Sequence, residues 1–447
     1  MHLLKEQKMN ILIITTYYPP DTTIAAVRPY MYAKYLSRLG HTVTVLRSGL
    51  IHETADHFFE KTPDVRVISY LGENAPSERF ERGEIAAPKK HQRHNRLFRV
   101  LTRLYRRIIF PFLRSKSENL QEEIENNLAL QKMYINRLAD ESEHFDVVVA
   151  TYCEMENAYA GEYASETFGC KWIMDFRDPM AQKDAQIPEV YEERKKLQNY
   201  FIEKADLVVS VSKESLINMC RGLRVAKAAV LYNGYEELPH NKLYNLAPNV
   251  LTLCYTGQLY ERQAEGVTVL LKALKSLLDK GAVQKDKICV KLAGQNVNII
   301  TQKAKKMKIG YIFEDYGYVD REKVNMLQNQ SDIFLLFNWN TINERGVITG
   351  KFYEGIRAQK PILSLIAGTV PNSELYKMNE TYHYGFCYEC CREDQFGDLC
   401  DYIAQAYRQK MAEGTVHYEP ASELALDFRY DNLAKKLNDL CEEIVNG

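Results

Sequence analysis

Residues 347–363, VITGKFYEGIRAQKPIL, place a lysine and a carboxylate at the start of a helix-like run. Free backbone N–H groups at the start of a helix bind anions, and Lys351 adds a positive charge in the first turn. Glu354, three residues further on, can accept hydrogen bonds from both hydroxyls of a vicinal diol. A ribose attached to a phosphate offers both groups. The alternative is that Glu354 is a first-turn acid stabilised only by the helix dipole.

A second candidate for phosphate binding follows a strand-like run in CYTGQLYERQ. Gly257 comes directly after this run, where a residue without a side chain lets the backbone approach a phosphate, and Arg262 lies in the same loop. Taken alone, such a glycine usually indicates only a turn.

The elements that must position these residues alternate between apolar strand-like runs and helical spacing. Strand-like runs in the first half are NILIITTYY, TVTVLR, FDVVVATY, KWIMDF and ADLVVSVS, and those in the second half are LTLCYTG, ICVKLAG, SDIFLLFN and PILSLIAG. Strand–helix–strand alternation predicts parallel sheets, and a polar stretch near 236–250 indicates a linker between two α/β halves. Ligands of such sheets bind beyond the carboxyl ends of the strands, so two facing sheets predict one central cleft. The first strand does not lead into G-x-G-x-x-G, which disfavours a dehydrogenase.

Composition narrows the class of protein. The chain has 447 residues, 46% of them hydrophobic, enough for two or three domains of about 100–200 residues each. Its 58 Lys and Arg nearly balance 59 Asp and Glu, so no global charge attracts nucleic acid. The N-terminus lacks a signal-peptide pattern, and no apolar run reaches the ~18–20 residues of a membrane span, which predicts a cytoplasmic protein.

The cysteines do not indicate a specific metal site. Ten cysteines scattered through a chain of this kind predict reduced, partly buried thiols. The densest cluster is CYECC, with Cys387, Cys390 and Cys391, for which only Cys400 or His383 could complete a zinc site. A core strand with incidental thiols is favoured, because the second ligand pair of a zinc motif is missing.

One segment departs from the alternation. Residues 89–116 contain ten Lys or Arg and no acid, with Leu97, Leu101 and Leu104 at helical spacing. This basic amphipathic pattern fits equally a helix packed on the first half or an interfacial helix on an anionic membrane. Nucleic acid is disfavoured, because few aromatic residues are available for stacking. The acid-rich helix predicted after it could pair with the basic face and weaken membrane binding.

Taken in order, the motifs resemble those of the GT-B glycosyltransferases, and in particular the large family 4 of retaining enzymes that act on nucleotide sugars. The resemblance covers nearly the whole chain apart from the basic insert. The stretches that carry it are ILIITTYYPP, LSRLGHTVTVL, KWIMDFRDPM, ADLVVSVSKES, VLYNGYEE, LTLCYTGQLY, VKLAG, YGYVDREKVNMLQNQSDIFLLF and GKFYEGIRAQKPIL.

The resemblance implies an α/β fold with two Rossmann-like domains whose parallel sheets face each other across a central cleft. Residues 1–235 would form the acceptor-side domain, with a basic helical insert near 85–140. After the linker at 236–250, residues 251–425 would bind the nucleotide sugar, and a terminal helix at 426–447 would cross back to the first domain.

The resemblance also implies the roles of individual residues. Glu354 would hold the donor ribose, three residues would neighbour the diphosphate, and the backbone near Tyr318 and Val319 would read the base. The diphosphate neighbours would be Gly257, Arg262 and Lys351. The acceptor side would be formed by Arg28, Asp175, Arg177 and Asp178. No metal or cofactor is implied, because arginine, lysine and helix dipoles can neutralise the leaving diphosphate.

The implied activity is retaining transfer of a hexose-type unit from a nucleoside diphosphate sugar to a glycan or lipid-linked acceptor, in cell-surface polysaccharide or glycoconjugate synthesis. No catalytic base is evident; Asp178, Arg177 and Arg28 are the candidates for catalysis. Attachment to the inner face of the cell membrane is expected if residues 89–116 bind lipid. The alternatives are a non-catalytic homologue that scaffolds a polysaccharide assembly and a nucleotide-sugar epimerase.

Three departures from the family pattern bear on these roles. The acid that usually stands eight residues before Glu354 is replaced by Gly346, and Glu344 could substitute for it only through a shifted loop. Ala25-Ala26 replaces the glycine pair of the first loop, and Gln258 stands where an arginine usually follows the strand-end glycine.

Overall fold

The computed structural model describes residues 8–49, 59–60, 62, 64–71, 114–236 and 246–447, with backbone only for 114–123. Most of the basic run 89–116 and of the linker 236–250 lies outside these residues. Within them, the first sheet is built from strands β1 Asn10–Thr15, β2 Thr42–Arg47, β3 Val65–Ser69, β4 Val147–Tyr152, β5 Lys171–Phe176, β6 Leu207–Ser210 and β7 Ala228–Val230. The second contains β8 Leu251–Thr256, β9 Ile288–Ala293, β10 Phe313–Asp315, β11 Ile333–Trp339, β12 Ile362–Ala367 and β13 Gly385–Glu389.

Helices connect the strands in both halves. In the first half they are α1 Ile24–Arg38, α2 Arg114–Asp140, α3 Met155–Phe168, α4 Pro188–Lys204 and α5 Lys213–Cys220. In the second they are α6 Ala264–Asp279, α7 Asn298–Lys306, α8 Arg321–Asn329, α9 Gly350–Arg357, α10 Glu374–Tyr382, α11 Phe396–Glu413, α12 Ser422–Asp427 and α13 Tyr430–Asn446. The acid-rich helix predicted after the basic run is α2.

All strand pairs in both sheets are parallel, as predicted. The strand order is β3-β2-β1-β4-β5-β6-β7 in the first sheet and β10-β9-β8-β11-β12-β13 in the second. In both, the chain starts in the middle of the sheet and reverses direction after three strands. The resulting switch points lie between β1 and β4 and between β8 and β11, where open α/β sheets leave a crevice for ligands.

The strands are continuous apolar runs because helices cover both faces of each sheet. Every residue of β8 and of β12 is buried, for example. A strand buried on both faces gains nothing from a polar alternation, so the sequence pattern is Val-, Ile- and Leu-rich throughout.

The central strands of the second sheet are fixed at their amino ends by a buried ion pair. Lys410 Nζ on α11 lies 2.7 Å from Asp332 Oδ1, and both side chains are at most 2% exposed. The second oxygen of Asp332 accepts from the Thr252 N–H at 2.9 Å. This contact joins β8 to β11 at the amino ends of the strands, opposite to the carboxyl ends where the crevice lies.

The last helix, α13, packs on the first half of the chain rather than on the second. Its apolar residues Leu433, Leu437 and Cys441 share a core with β1 and α1. The side-chain oxygen of Asn438 lies 2.7 Å from His41 Nε2, close to the start of β2. The chain therefore returns to the first sheet after completing the second.

No helix in the described part of the chain is long and apolar enough to cross a membrane.

Candidate functional site

A cavity of about 860 Å³ lies between the two sheets. The first half contributes α1, the loop after β5 and the start of α5, and the second half contributes the loop after β11 with α8 and α9. The cavity therefore lies at the carboxyl ends of the strands, at the position expected from the two switch points. Of the predicted site residues, five line it directly: Arg28, Arg177, Asp178, Arg262 and Glu354.

Glu354 lies in α9, directly after the loop that follows β11. Its oxygens accept from Lys351 Nζ at 2.8 and 2.9 Å, and Oε2 also accepts from Gln328 Nε2 at 2.8 Å. Burial raises the pKa of Glu354, but Lys351, Arg357 and Gln328 together outweigh burial and hold that pKa below its usual value. The carboxylate is therefore charged throughout the neutral pH range, as an acceptor for hydroxyl groups must be.

Lys351 joins the two loops of the switch point. Its spacing of three residues from Glu354 puts both side chains on one face of α9. Its aliphatic stem passes over Gly257, so close that a Cβ at that position would lie 2.6 Å from Lys351 Cε. Gly257 also has φ +143°, a conformation that other residues rarely adopt. Because Gly257 has no side chain, the Lys351 stem can pack directly over the backbone after β8.

Arg262 is held by a neighbouring carboxylate rather than directed freely into the cavity. It forms an ion pair with Glu344, which also accepts from Trp339 Nε1 at 2.9 Å. The guanidinium lies 5.8 Å from the centre of the Trp339 ring. Both cations predicted to neighbour a diphosphate, Lys351 and Arg262, are therefore present at the crevice, and each is paired with an acid of its own half.

The local packing explains why a glycine stands at position 346. It adopts φ +72°, and a Cβ at this position would overlap Ser212 Oγ and lie 2.9 Å from the Ser215 backbone nitrogen. The loop after β11 thus packs against the start of α5 in the other half. A glutamate at 346 could not fit this arrangement, and Glu344 is engaged by Arg262 instead.

The segment predicted to read a base lies at the rim. Tyr318 is 80% exposed, and Val319 packs beside Leu327 of α8. The Gly294 N–H donates to the Gly317 carbonyl at 2.7 Å, which ties the loops after β9 and β10 together. This rim is continuous with the loop that carries Gly257, because a Cβ at Gly294 would overlap the Gly257 carbonyl oxygen.

On the other wall, Arg28 and Asp175 bind each other. Arg28 Nε and Nη2 donate to the two oxygens of Asp175 at 3.0 and 2.8 Å, and both side chains are 1% exposed. Arg28 Nη1 also donates to the Tyr232 carbonyl at 2.9 Å. Asp175 is therefore absent from the cavity lining, while Arg28 lines the cavity with its guanidinium bound to Asp175.

Arg177 and Asp178 follow β5 at the same wall. Arg177 Nη1 donates at 3.0 Å to the carbonyl of Ala25, the first residue of the alanine pair, which lies in the first turn of α1 rather than in a loop, and Nη1 also lies 3.3 Å from Cys153 Sγ. Asp178 is exposed at the cavity. Of the two acids predicted for the acceptor side, Asp175 is buried and Asp178 is exposed at the cavity.

The sequence did not indicate the polar support of Glu354. Gln328 in α8 is 2% exposed, donates to Thr256 Oγ1 at 2.7 Å as well as to Glu354, and accepts from Arg357 Nη2 at 3.3 Å. Burial lowers the pKa of Arg357, and burial together with Arg357 lowers that of Arg321. The one available signal was the spacing of Arg357 three residues after Glu354, on the same face of α9.

A second residue that the sequence did not indicate joins the two halves beside the cavity. Glu374, the first residue of α10, is 5% exposed and accepts four hydrogen bonds from the first half. The donors are Ser212 Oγ at 2.7 Å, the Lys213 N–H at 2.8 Å, the Glu214 N–H at 3.0 Å and the Tyr232 hydroxyl at 2.8 Å.

Among the described residues, no group of three or more His, Cys, Asp or Glu is arranged to hold a metal ion. All ten cysteines carry free thiols, and Cys387 and Cys390 are buried in or beside β13.

Comparison with solved structures identifies the fold to which this architecture belongs. Sucrose-phosphate synthase from Thermosynechococcus elongatus matches with a TM-score of 0.59 at 14% identity, over 98% of this chain and 99% of that one. The chain has the GT-B fold. The Arabidopsis thaliana starch synthase IV catalytic domain, bound to ADP and acarbose, gives 0.55 at 11% identity over 99% and 100% of the two chains. Anabaena HepE in complex with UDP-glucose gives 0.53 at 11% identity over 97% and 100%.

No protein-family model and no curated protein matches the chain. At these identities, the likeness to solved GT-B structures carries the fold and leaves the activity to be argued from the site.

Proposed function

We propose that the protein is a retaining glycosyltransferase that transfers a hexose-type unit from a nucleoside diphosphate sugar to a hydroxyl acceptor. One observation carries the proposal: Lys351 pairs with Glu354 and lies over Gly257 at the switch point between β8 and β11. A carboxylate able to accept hydrogen bonds from a diol and a cation able to bind a phosphate lie there beside the Gly257 loop. Two solved GT-B structures contain UDP-glucose or ADP, which supports a nucleotide in this crevice.

In the proposed reaction, the bond between the anomeric carbon and the diphosphate breaks while the acceptor oxygen bonds to that carbon on the same face of the sugar. Negative charge grows on the diphosphate, where Lys351, Arg262 and the start of α9 stabilise it. The leaving phosphate takes the acceptor proton, so the protein mainly orients the two substrates in a closed cleft. Asp178 and Arg177 face the acceptor, and Arg28 supports that wall.

Replacing Glu354 by glutamine tests this proposal. The amide keeps the size of the side chain but loses the charge, and charge-assisted hydrogen bonds contribute about 1.5–3 kcal/mol. We expect the affinity for a nucleoside diphosphate to fall about ten- to a hundredfold, with acceptor affinity nearly unchanged. Calorimetric titration with UDP and with ADP measures the effect.

Two controls accompany this titration. Asp398→Asn removes an exposed first-turn acid from α11, away from the cavity, and should leave nucleotide affinity unchanged. Dideoxynucleotides lack the ribose hydroxyls, so wild type and Glu354→Gln should bind them alike. Equal affinity of wild type and Glu354→Gln for the intact nucleotide would leave Glu354 only its structural contacts with Lys351 and Gln328 and remove the anchor of the donor site.

A non-catalytic scaffold is the second candidate, because the loop after β11 carries Gly346 in place of an acid and packs it against α5. Turnover separates the two. A transferase releases nucleoside diphosphate only when an acceptor is present, whereas a scaffold binds the donor without releasing product. A coupled assay for UDP or ADP, run over a panel of nucleotide sugars and glycan acceptors, distinguishes them.

The basic run 89–116 makes a further prediction, about the acceptor. We propose that it holds the protein at the inner face of the cell membrane, where a lipid-linked acceptor in cell-surface glycan synthesis would be found. The protein should sediment with anionic vesicles at low salt and be released at high salt. Equal recovery with neutral vesicles at every salt concentration would contradict membrane binding and leave the transferase proposal intact.

A further inference from the structure

The hydrogen bonds of Glu354 leave too little room for a diol. A carboxylate offers about four lone-pair directions, two on each oxygen. Lys351 bonds to both oxygens and Gln328 to Oε2, so three of the four are used. Two ribose hydroxyls require two acceptor positions. In this state of the site, Glu354 can accept from only one of them.

The contact that can give way is the one with Lys351. Gln328 is 2% exposed and its Nε2, which donates to Glu354, also donates to Thr256 Oγ1, whereas the Lys351 side chain is 30% exposed and has a flexible stem. That stem already lies over Gly257, with Nζ 3.6 Å from the place a Cβ would occupy there. Rotation about its own bonds would carry the ammonium group away from Glu354 and towards the Gly257 loop, where the proposed donor site requires a phosphate.

The carboxylate stays charged when the lysine leaves. Arg357, on the same helix, also lowers the pKa of Glu354, and its own hydrogen bonds are made to Asn325 and Gln328 rather than to Glu354. The positive field at Glu354 therefore does not depend on Lys351 alone. Losing the Lys351 contact frees acceptor positions without neutralising the acid.

We propose that Lys351 is exchanged between Glu354 and the diphosphate, and that this exchange makes the site select nucleoside diphosphates over nucleosides. A nucleoside alone must break the Lys351–Glu354 pair and leaves the ammonium without a new anionic partner. A nucleoside diphosphate supplies that partner, so binding of its ribose and of its phosphates is mutually reinforcing. This inference rests on the proposed donor site and assigns Lys351 a specificity role within it.

The test is a substitution that affects two ligands in opposite directions. Lys351→Met keeps the stem and removes the charge. We expect its affinity for UDP and ADP to fall about tenfold or more, because a charge-assisted bond to phosphate is lost. Its affinity for uridine and adenosine should rise about two- to fivefold, the scale of a half-exposed ion pair. Calorimetry serves for the diphosphates and ligand-observed NMR for the nucleosides.

Arg262→Met is the matched control, since Arg262 pairs with Glu344 and not with Glu354. It should weaken diphosphate binding and leave nucleoside binding unchanged. In a Glu354→Gln background, Lys351→Met should no longer improve nucleoside binding, because no carboxylate is released. This double variant distinguishes the exchange from a general loosening of α9.

The outcomes distinguish failure of the donor site from failure of the lysine exchange. If wild type binds neither UDP nor ADP nor any other nucleoside diphosphate, the donor site and the exchange both fail. If wild type binds a diphosphate but Lys351→Met weakens or leaves unchanged the binding of the matching nucleoside, the exchange fails while the donor site stands. Opposite shifts for the two ligands, confined to Lys351, support the exchange.

Discussion

Replacing Arg28 by methionine is expected to lower the free energy of unfolding by about 3–5 kcal/mol. The substitution leaves the Asp175 carboxylate, 1% exposed, without the guanidinium that binds both of its oxygens. Among the residues that the structure describes, Thr151 Oγ1 at 3.3 Å is the one other side-chain donor to Asp175. A buried charge that loses its partner cannot recover its hydration, so the loss exceeds what the pair itself contributes.

Two further variants test whether any loss of an arginine from α1 destabilises the protein to the same extent. Arg38→Met removes a 58% exposed arginine from the last turn of the same helix and should cost less than about 1 kcal/mol. The double variant Arg28→Met, Asp175→Asn removes both charges and should be more stable than Arg28→Met alone. Urea-induced unfolding followed by circular dichroism gives the comparison. A loss below about 1 kcal/mol for Arg28→Met would contradict the role of the pair.

The double variant also tests whether Arg28 and Asp175 take part in the proposed reaction. If the double variant folds and still turns over donor and acceptor, Arg28 and Asp175 hold the wall in place and take no part in catalysis. Asp178→Asn then becomes the informative substitution, because Asp178 is the acid of that group exposed to the cavity. Its effect should appear in the rate of transfer rather than in donor affinity.

The fold was predictable because its determinants are local in the sequence. Continuous apolar strands such as ILIIT, followed by helical spacing and a glycine, specify parallel strands covered on both faces. Strand order then follows from short right-handed connections, which leave few alternatives for such a chain. The GT-B fold predicted from the ordered motifs is confirmed by the two parallel sheets and by the solved structures that match them.

Within the candidate site, the sequence could predict contacts only between residues that are neighbours on one helix. Lys351 and Glu354 are one helical turn apart, so their meeting could be anticipated from spacing. Gln328 reaches Glu354 from 26 residues away, and Asp175 reaches Arg28 from 147. Nothing in a single sequence indicates which of many glutamines or aspartates closes such a contact. At position 346 the sequence shows that the acid is missing, but only the structure shows that Gly346 packs against Ser212.

Replacing Glu374 by glutamine is expected to weaken the contact between the two halves of the chain by about 3–5 kcal/mol. The buried carboxylate accepts four hydrogen bonds from the first half, and two of the donors are backbone N–H groups at the start of α5. Each oxygen of Glu374 accepts from one backbone N–H and one hydroxyl. In glutamine one of these oxygens becomes an NH2 group, from which the hydroxyl can accept but the backbone N–H cannot, and the remaining bonds lose the carboxylate's charge. Each buried donor left without an acceptor costs about 1–3 kcal/mol.

The cost of Glu374→Gln should appear as opening of the cleft, because separation of the halves returns these donors to water while each sheet stays folded. Hydrogen exchange at the Lys213 and Glu214 amides, which donate directly to Glu374, should accelerate by about a hundredfold or more. The radius of gyration from small-angle X-ray scattering should increase. If the proposed transfer reaction holds, it should slow more than nucleotide binding weakens, because the two walls of the cavity must close on each other for such a reaction.

Lys377→Gln is the matched control for Glu374→Gln. Lys377 lies on the same helix, α10, and pairs across the same interface with Glu214, but its side chain is 55% exposed. A surface ion pair contributes about 0–1 kcal/mol, so its loss should change exchange at Lys213 and Glu214 by less than about fivefold. Unchanged exchange in Glu374→Gln would show that the buried carboxylate does not hold the halves together. Faster exchange in Glu374→Gln alone would identify it as the contact that couples closure of the cleft to the start of α5.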